Sequence, residues 1–267
     1  MSIYFKENPD FFKDSVDSMI NQTLKPEQIV IVKDGKLTET LDAMINDYIS
    51  TEPNLFTIIS LEKNVGLGLA FNEGLKVCRN ELVARMDTDD ISLSERCELQ
   101  VEEFIKNDKL CIVGTMIDEF IDDPNTIISS RIVPTTHEEI IKFSKRRNPF
   151  SHPSVMYRKS SVLNAGGYKD YRRNQDMDLF VTMINNGCIS MNIDKSLLLF
   201  RANEDNAKRR KSWSKCSSNI TIPYKFWRQG YSAFNDFLFV MLSQVVIFVA
   251  PIWFVKWLSK KYLRKTV

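Results

Sequence analysis

Apolar residues in the N-terminal half of the chain follow two alternating patterns. Phe12, Val16 and Met19 recur at helical spacing, which predicts an amphipathic helix over residues 11–23. The β-branched run within residues 27–35 ends in Asp-Gly, which predicts a buried strand followed by a turn. Further helices are predicted over 37–49, 66–78 and 94–107, and further strands over 55–61, 81–87 and 110–121. Strands that alternate with helices in this way indicate an α/β fold with a mainly parallel, doubly wound central sheet.

The pattern changes after residue 130, where the alternation becomes irregular. Residues 154–168 predict a strand, a short helix and a Gly-Gly turn, and residues 176–187 predict a helix that ends at glycine. Residues 237–255 carry no charge and approach the ~20 residues that a membrane-spanning helix needs. The chain is therefore predicted to contain an apolar helical segment near its C-terminus.

Two interpretations fit this apolar segment. Trp253 and Trp257, with Lys256 and Lys260 beside them, are typical of an anchor at a membrane interface. Pro251 interrupts the run, which favours a helix in the membrane plane or a helical hairpin over a full span. The alternative is an ordinary C-terminal helix packed on the domain.

Composition and charge limit the classes of partner. The net charge of +2 gives no reason to expect nucleic acid, whereas basic residues clustered over 208–215 and 256–265 indicate an anionic surface near the C-terminus. The five cysteines are odd in number and form no Cys-x-x-Cys pair, so we expect a reducing cytoplasm rather than a disulfide framework or a zinc knuckle. The first residues lack the basic start and apolar run of a signal peptide.

Acidic residues follow two of the predicted strands, Asp34 after the first and Asp87 and Asp89 after the third. Ligands of open α/β sheets bind outside the carboxyl ends of strands. Carboxylate oxygens favour Mg²⁺ or Mn²⁺ over zinc, and an ion held by one or two carboxylates usually completes its shell with substrate phosphates. The sequence therefore predicts a metal and a diphosphate-bearing substrate. The alternative is that residues 87–90 form only a turn and a cap for the next helix.

Four segments in succession resemble bacterial glycosyltransferase family 2, whose fold is the nucleotide-sugar-binding GT-A type. They are "NQTLKPEQIVIVKDG", "LEKNVGLGLAFNEGLKVCRNELVARMDTDD", "HPSVMYRKSSVLNAGGY" and "NQDMDLF". The resemblance covers residues 1–205 and implies a catalytic domain there. Within it, residues 1–125 would bind the nucleotide sugar, and residues 126–205 would supply the acceptor side and the catalytic base. Residues 206–267 would then form a basic and apolar membrane-associating segment.

The resemblance also implies roles for individual residues on the donor side. Asp34 corresponds to the aspartate that contacts the nucleotide base, and Asn64 and Gly66 fall in the stretch beside the nucleoside. Asp87 and Asp89 match the family's Asp-x-Asp. The second aspartate is the usual metal ligand, and the first lies near the ribose and is a further candidate ligand of the metal. Two roles stay open for Asp90, which is either a neighbour or cap, or a further metal ligand.

On the acceptor side, the family's catalytic base is the aspartate of a Glu-Asp pair that opens a helix. Asp176 matches this aspartate, with Asp178 as the second candidate, and His152 and Arg158 are candidates for contact with the acceptor. Gln175 stands where the family has Glu, which removes a charge beside the base.

Two further departures from the family pattern are visible. Phe71 stands where the family often has Arg, which removes one expected cation from the donor side. The family also opens with a full apolar strand, whereas this chain begins partway through one, so either Met1 is an internal methionine or the first strand is short.

The implied activity is an inverting transfer of a hexose from a UDP-sugar, with UDP-galactose or UDP-glucose favoured and Mn²⁺ or Mg²⁺ as cofactor. The implied acceptor is N-acetylglucosamine-diphosphoundecaprenol, joined by a β-1,3 linkage, in O-antigen or surface polysaccharide synthesis at the cytoplasmic face of the bacterial inner membrane. Transfer of a later sugar, or from another nucleotide sugar, is the alternative within the family. A nucleotidyltransferase would need a Gly-rich phosphate loop with a base near the N-terminus, and an inactive membrane-docked binding protein would not need the three aspartates Asp87, Asp89 and Asp176.

Overall fold

The computed structural model describes residues 1–202 and 213–251 and shows an α/β fold. Its strands are β1 (Ser2–Ile3), β2 (Ile29–Lys33), β3 (Phe56–Ser60), β4 (Leu82–Ala84), β5 (Ile91–Ser92), β6 (Leu110–Phe120), β7 (Ser129–Arg131), β8 (Met156–Arg158) and β9 (Ile189–Arg201). Its helices are α1 (Pro9–Ile20), α2 (Glu39–Thr51), α3 (Leu67–Val77), α4 (Arg96–Lys106), α5 (His137–Ser144), α6 (Lys159–Asn164), α7 (Gln175–Asn185), α8 (Trp213–Arg228) and α9 (Phe234–Val249), with a 3₁₀ turn at His152–Ser154. Every helix and strand predicted up to residue 121 is present, and so are the strand, short helix and Gly-Gly turn of 154–168.

Helix α1 shows how local sequence forms a predicted element. The side chain of Asn8 caps the helix by accepting a hydrogen bond of 2.8 Å from the backbone N–H of Asp10, and Pro9 occupies the first turn, where its missing N–H costs nothing. Phe12 and Val16 are fully buried against the sheet side of the domain. The cap fixes the start of the helix, and the apolar face fixes its orientation.

The strands form two sheets rather than one mainly parallel sheet. In the first, β1, β2 and β3 are parallel, as expected for strands joined by helices. In the second, the order is β4-β8-β6-β9-β5 with β7 beside β6, and only β6 and β9 are parallel. The prediction of a mainly parallel arrangement is correct for the first sheet and wrong for the second. Hydrophobic periodicity indicates a strand but not its direction.

Two apolar clusters hold the domain together. The larger joins α1, α2 and α4 to the sheets and includes the fully buried Phe12, Ile31 and Leu41. The second joins α3 and α7 to the second sheet and includes the fully buried Ile112 and Phe180. The larger cluster contains residues of both sheets and therefore packs them together.

The C-terminal helices α8 and α9 pack against each other, and α8 packs on α7 through Ile222 and Phe226, which contact Met177 and Val181. Across the residues that the structure describes, no helix has the length and apolarity needed to cross a membrane. The predicted tryptophan and lysine anchor beyond residue 251 and the basic residues 208–211 lie outside the described residues.

Candidate functional site

Three aspartates meet in the loop that follows β4. One carboxylate oxygen from each of Asp87, Asp89 and Asp90 lies within 4.8 Å of the others. The next helix, α4, begins at Arg96, and its N-cap position is occupied by Glu95, whose side chain makes no capping hydrogen bond, so these acids do not cap the helix. The alternative of a simple turn and helix cap therefore fails, and the acids form a cluster at the carboxyl end of a strand as predicted.

Two arginines contact this cluster. The Arg85 guanidinium forms an ion pair with Asp87 through Nη2. The backbone N–H of Arg201 donates to Oδ1 of Asp90 at 3.0 Å, and its Nε donates to the backbone oxygen of Asp89, also at 3.0 Å. The second carboxylate oxygen of Asp90 is buried and has no hydrogen-bond partner among the described residues. The cluster thus contains a buried acceptor that none of the described residues satisfies.

The carboxyl groups of this cluster oppose one another's ionisation. Burial, followed by repulsion from Asp87 and Asp89, raises the pKa of Asp90 well above its usual range. Burial and the Asp87 charge raise the pKa of Asp89 to about 6. Glu7, just after β1, belongs to the same group, because burial and the Asp89 and Asp87 charges raise its pKa to about 7. Within the described part of the chain, the four carboxyl groups of this site outnumber the two arginines that contact it.

The donor set fits a divalent cation. Asp87, Asp89 and Asp90 offer only carboxylate oxygens, which are the ligands that Mg²⁺ and Mn²⁺ prefer, and the unsatisfied oxygen of Asp90 lies among them. A cation there would remove the repulsion that raises the pKa values of these acids. The assignment of Asp87 and Asp89 as the metal pair stays a prediction, and the structure places Asp90 beside them.

Asp34 joins two loops at the neighbouring strand ends. Its Oδ1 accepts a hydrogen bond of 2.7 Å from the backbone N–H of Val65, and its Oδ2 accepts one of 3.0 Å from Gly66. Nδ2 of Asn64 donates to the backbone oxygen of Asp34 at 3.3 Å. Gly66 has φ of 91°, a conformation that favours glycine, and α3 begins directly after it. The three residues predicted beside the nucleoside are therefore in mutual contact.

Asp176 lies in the first turn of α7. Nδ2 of Asn148 donates a hydrogen bond of 2.6 Å to its Oδ2. Burial raises the pKa of Asp176, while the backbone N–H of Met177 and the charges of Arg85 and Arg131 act in the opposite direction. The result is a carboxylate held at a helix N-terminus and made more basic than a solvated aspartate.

Asp178 faces a different neighbour. Its side chain is buried, and its Oδ1 accepts a hydrogen bond of 2.5 Å from Nζ of Lys225 on α8. Burial alone would lower the pKa of Lys225, but the Asp178 carboxylate outweighs it and the pKa is raised. Asp178 thus joins two helices, which favours Asp176 over Asp178 as the predicted base.

Arg85 lies between the acids and α7 in a largely aromatic environment. Its guanidinium carbon is 5.1 Å from the ring centre of Phe71, the residue that replaces the family's arginine. Burial would lower the pKa of Arg85, but the Asp87 charge prevails and raises it. Its Nε and Nη1 have no hydrogen-bond partner within the described part of the chain, although both are buried.

The two predicted acceptor-side residues lie at opposite ends of β8. Nε2 of His152 is 3.0 Å from the hydroxyl of Tyr168, and burial together with the Arg85 charge lowers the pKa of His152 well below its usual value. His152 is therefore a neutral ring on the same side as the acids. Arg158 instead donates to the backbone oxygens of Leu110 at 2.8 Å and Asp108 at 3.1 Å, at the end of β4 that is remote from Asp87. The structure gives Arg158 a role in joining strands and does not place it beside the acids.

Sequence reasoning missed three residues of the site. Glu7 follows β1 at the same sheet edge as Asp34, and this position was a usable signal. Arg85 lies two residues before Asp87, just beyond the end of β4, and a cation so close to the acids in sequence was also a usable indication. Asn148 contacts Asp176 across 28 residues of chain, and no pattern in the sequence indicates that contact.

A family model and individual relatives with known names both match this chain. The model of the family described as "Glycosyl transferase family 2" matches residues 2–172. The chain is 32% identical over 268 residues to the Escherichia coli "UDP-Gal:alpha-D-GlcNAc-diphosphoundecaprenol beta-1,3-galactosyltransferase", covering 99% of this chain and 95% of that protein. It is 33% identical to the "Amylovoran biosynthesis glycosyltransferase AmsE" of Erwinia amylovora, covering 83% of this chain and 82% of the relative.

A solved structure extends the comparison to the fold. The mannosyltransferase PcManGT from Pyrobaculum calidifontis, determined with GDP-Man and Mn²⁺, superposes with a TM-score of 0.65 at 12% identity. The alignment covers 93% of this chain and 69% of that one. At this low identity the similarity supports the shared fold and no more.

Proposed function

Since the chain belongs to glycosyl transferase family 2 and is a glycosyltransferase, we propose that it transfers galactose from UDP-galactose to N-acetylglucosamine on diphosphoundecaprenol, forming a β-1,3 linkage. The observation that carries this proposal is the 32% identity to the Escherichia coli galactosyltransferase, which extends over nearly the whole of both chains. Relatives named for O-antigen and amylovoran biosynthesis support a role in surface polysaccharide assembly. Family membership also argues against the nucleotidyltransferase alternative.

The donor would bind beyond the carboxyl ends of β2 and β4. Asp34, Asn64 and Gly66 lie in the loops after β2 and β3 and are the candidates for contact with the uridine. Asp87 and Asp89, with Asp90 beside them, would hold a Mn²⁺ or Mg²⁺ ion. When bound, such an ion supplies positive charge for the diphosphate of the leaving nucleotide.

Asp176 is the proposed base of an inverting transfer. The acceptor hydroxyl oxygen forms a bond to the anomeric carbon from the face opposite the diphosphate, and the bond from that carbon to the diphosphate oxygen breaks. The hydroxyl proton passes to the Asp176 carboxylate, which contributes roughly 10²–10⁴-fold to the rate. Burial raises the pKa of Asp176, and this supports the assignment because a more basic carboxylate accepts a proton more readily.

A lipid-linked acceptor requires the enzyme to approach a bilayer, and α9 offers a surface for this purpose. Phe239, Leu242, Val246 and Val249 are all exposed on this helix. An apolar helix face that lies in the interface plane buries such side chains at the level of the head groups. The proposed location is therefore the cytoplasmic face of the inner membrane, with the protein bound peripherally.

A donor screen with the purified full chain tests the proposal. The acceptor is synthetic N-acetylglucosamine joined through an α-linked diphosphate to a lipid, with Mn²⁺ present in one arm and EDTA in the other. We expect UDP release and a β-1,3-linked galactoside, identified by NMR, with UDP-galactose and Mn²⁺ only. Transfer from UDP-glucose or UDP-N-acetylglucosamine alone would replace the donor, and transfer only to an extended lipid-linked oligosaccharide would assign the enzyme to a later sugar. Failure of transfer with every donor and acceptor would refute the proposal.

A further inference from the structure

The residue that precedes the base segment adopts an unusual backbone conformation. Asn174 has φ of 60° and is the one non-glycine residue with positive φ among those that the structure describes. It stands two residues before Asp176, and its backbone oxygen accepts the N–H of Asp178 at 3.0 Å, so it starts the helix that carries the base. Asparagine adopts this conformation more readily than other non-glycine residues, and contacts of its side chain can hold it there.

The side chain of Asn174 belongs to a chain of three side-chain amides. Nδ2 of Asn174 donates to Oδ1 of Asn219 on α8 at 2.9 Å, and Nδ2 of Asn219 donates to Oε1 of Gln244 on α9, also at 2.9 Å. All three side chains are partly buried. The amide chain therefore connects α9, through α8, to the first turn of the base helix.

Two further contacts join the same helices to the surroundings of Asp176. Arg146 forms an ion pair of 2.7 Å with Asp236 on α9 and lies 4.7 Å from the ring centre of Phe239. Arg146 is two residues from Asn148, which holds the Asp176 carboxylate. Lys225 on α8 also forms an ion pair with Asp178, which lies two residues after the base.

From these contacts, and on the basis of the proposed function, we infer that Asn219 and Gln244 are positioning residues for the catalytic base Asp176. Neither residue lies in the donor site, since both belong to the C-terminal helices. Their role is to hold Asn174 in its left-handed conformation and so to fix the direction of the first turn of α7. Gln244 and the exposed apolar face lie on the same helix, α9. This helix would therefore both contact the bilayer and help to orient the base.

The kinetic test compares Asn219→Ala, Gln244→Ala and the double variant with the wild type. Thr221→Ala is the matched control, because Thr221 is an exposed residue of α8 whose hydroxyl bonds only to its own helix. We expect kcat to fall on the order of tenfold to a hundredfold in Asn219→Ala, with the KM for donor and the Kd for UDP and Mn²⁺ unchanged. The double variant should lose no more than Asn219→Ala alone, because both substitutions interrupt one chain.

Hydrogen exchange provides a test that does not depend on transfer. The backbone amides of the first turn of α7 should exchange faster in Asn219→Ala than in Thr221→Ala, while those of α1 exchange at the same rate in both. An unchanged kcat, an equal loss of donor affinity and kcat, or unchanged exchange in α7 would each overturn the inference. If the wild type itself transfers no sugar, the proposed function fails, and the exchange experiment still decides whether the amide chain holds the helix.

Discussion

Asn148 donates a hydrogen bond of 2.6 Å from its Nδ2 to Oδ2 of Asp176, across 28 residues of chain. The contact joins the turn after α5 to the first turn of α7. It occupies one carboxylate oxygen of the proposed base and stabilises the ionised form of that group. The orientation and the basicity of Asp176 therefore both depend on a residue outside its own helix.

Replacement of the base should separate catalysis from donor binding. Asp176→Asn keeps the shape of the side chain but removes its ability to accept a proton, so we expect transfer to fall by roughly 10²–10⁴-fold. The Kd for UDP in the presence of Mn²⁺, measured by calorimetry, should not change. Asp178→Asn is the matched control: it weakens the ion pair with Lys225 and lowers the melting temperature, yet it retains most of the transfer activity. Equal activity of the two variants would contradict the assignment of the base.

The transfer rate should decline at low pH. Transfer requires ionised Asp176, and its raised pKa means that protonation begins at a higher pH than for a solvated aspartate. Asn148→Ala removes a donor to the carboxylate, which raises the pKa further, so the acidic limb of the profile of kcat against pH should move to higher pH. A shift of that limb to lower pH, or no shift, would show that Asn148 does not act on the base.

The acidic cluster should bind Mn²⁺ and gain stability from it. A cation present at a hundred times its Kd stabilises the folded state by about 2.7 kcal/mol, which calorimetry detects as a rise in melting temperature. Asp89→Asn should abolish most of this rise, whereas Asp47→Asn, on the exposed face of α2, should retain it.

The variant Asp90→Asn tests in the same experiment whether Asp90 belongs to the metal site. Burial and repulsion raise the pKa of Asp90, so its ionised form is unfavourable in the metal-free protein. A neutral amide at this position should leave the metal-free melting temperature equal to that of the wild type or higher, while the response to Mn²⁺ is lost. A lower metal-free melting temperature with an intact response would remove Asp90 from the metal site.

The elements of the first half were predictable because each buries one face at a regular spacing. Strand β9 was missed for a physical reason, since register shifts interrupt its pairing with β6 and Asp194 and Lys195 lie within it. The sequence also did not indicate the direction of the strands in the second sheet. Because β8 is antiparallel to β4, His152, which precedes β8, lies near the acids. Arg158, at the end of β8, lies at the end of β4 that is remote from the acids.

The site was predictable where function depends on short segments. Asp34 meets Gly66 and Asn64 beyond the carboxyl ends of β2 and β3, and the three aspartates cluster beyond the carboxyl end of β4, where ligands of α/β folds bind. The contacts around Asp176 depend on helices and turns that are distant in sequence, so their side-chain partners are determined only by tertiary packing. The residues that orient Asp176 and act on its pKa could therefore not be predicted from the sequence.

Membrane association through α9 can be tested with vesicles that contain anionic lipid. Leu242→Glu and Val246→Glu place a charge on exposed apolar positions, where burial of each side chain contributes about 1.5–3 kcal/mol. We expect a smaller fraction of the full chain to sediment with the vesicles, and a loss of transfer to a long-chain lipid acceptor but not to a short-chain, water-soluble one. Gln229→Glu adds the same charge at an exposed position after α8 and should sediment like the wild type. Equal sedimentation of all the variants would exclude this face of α9 as the contact with the bilayer.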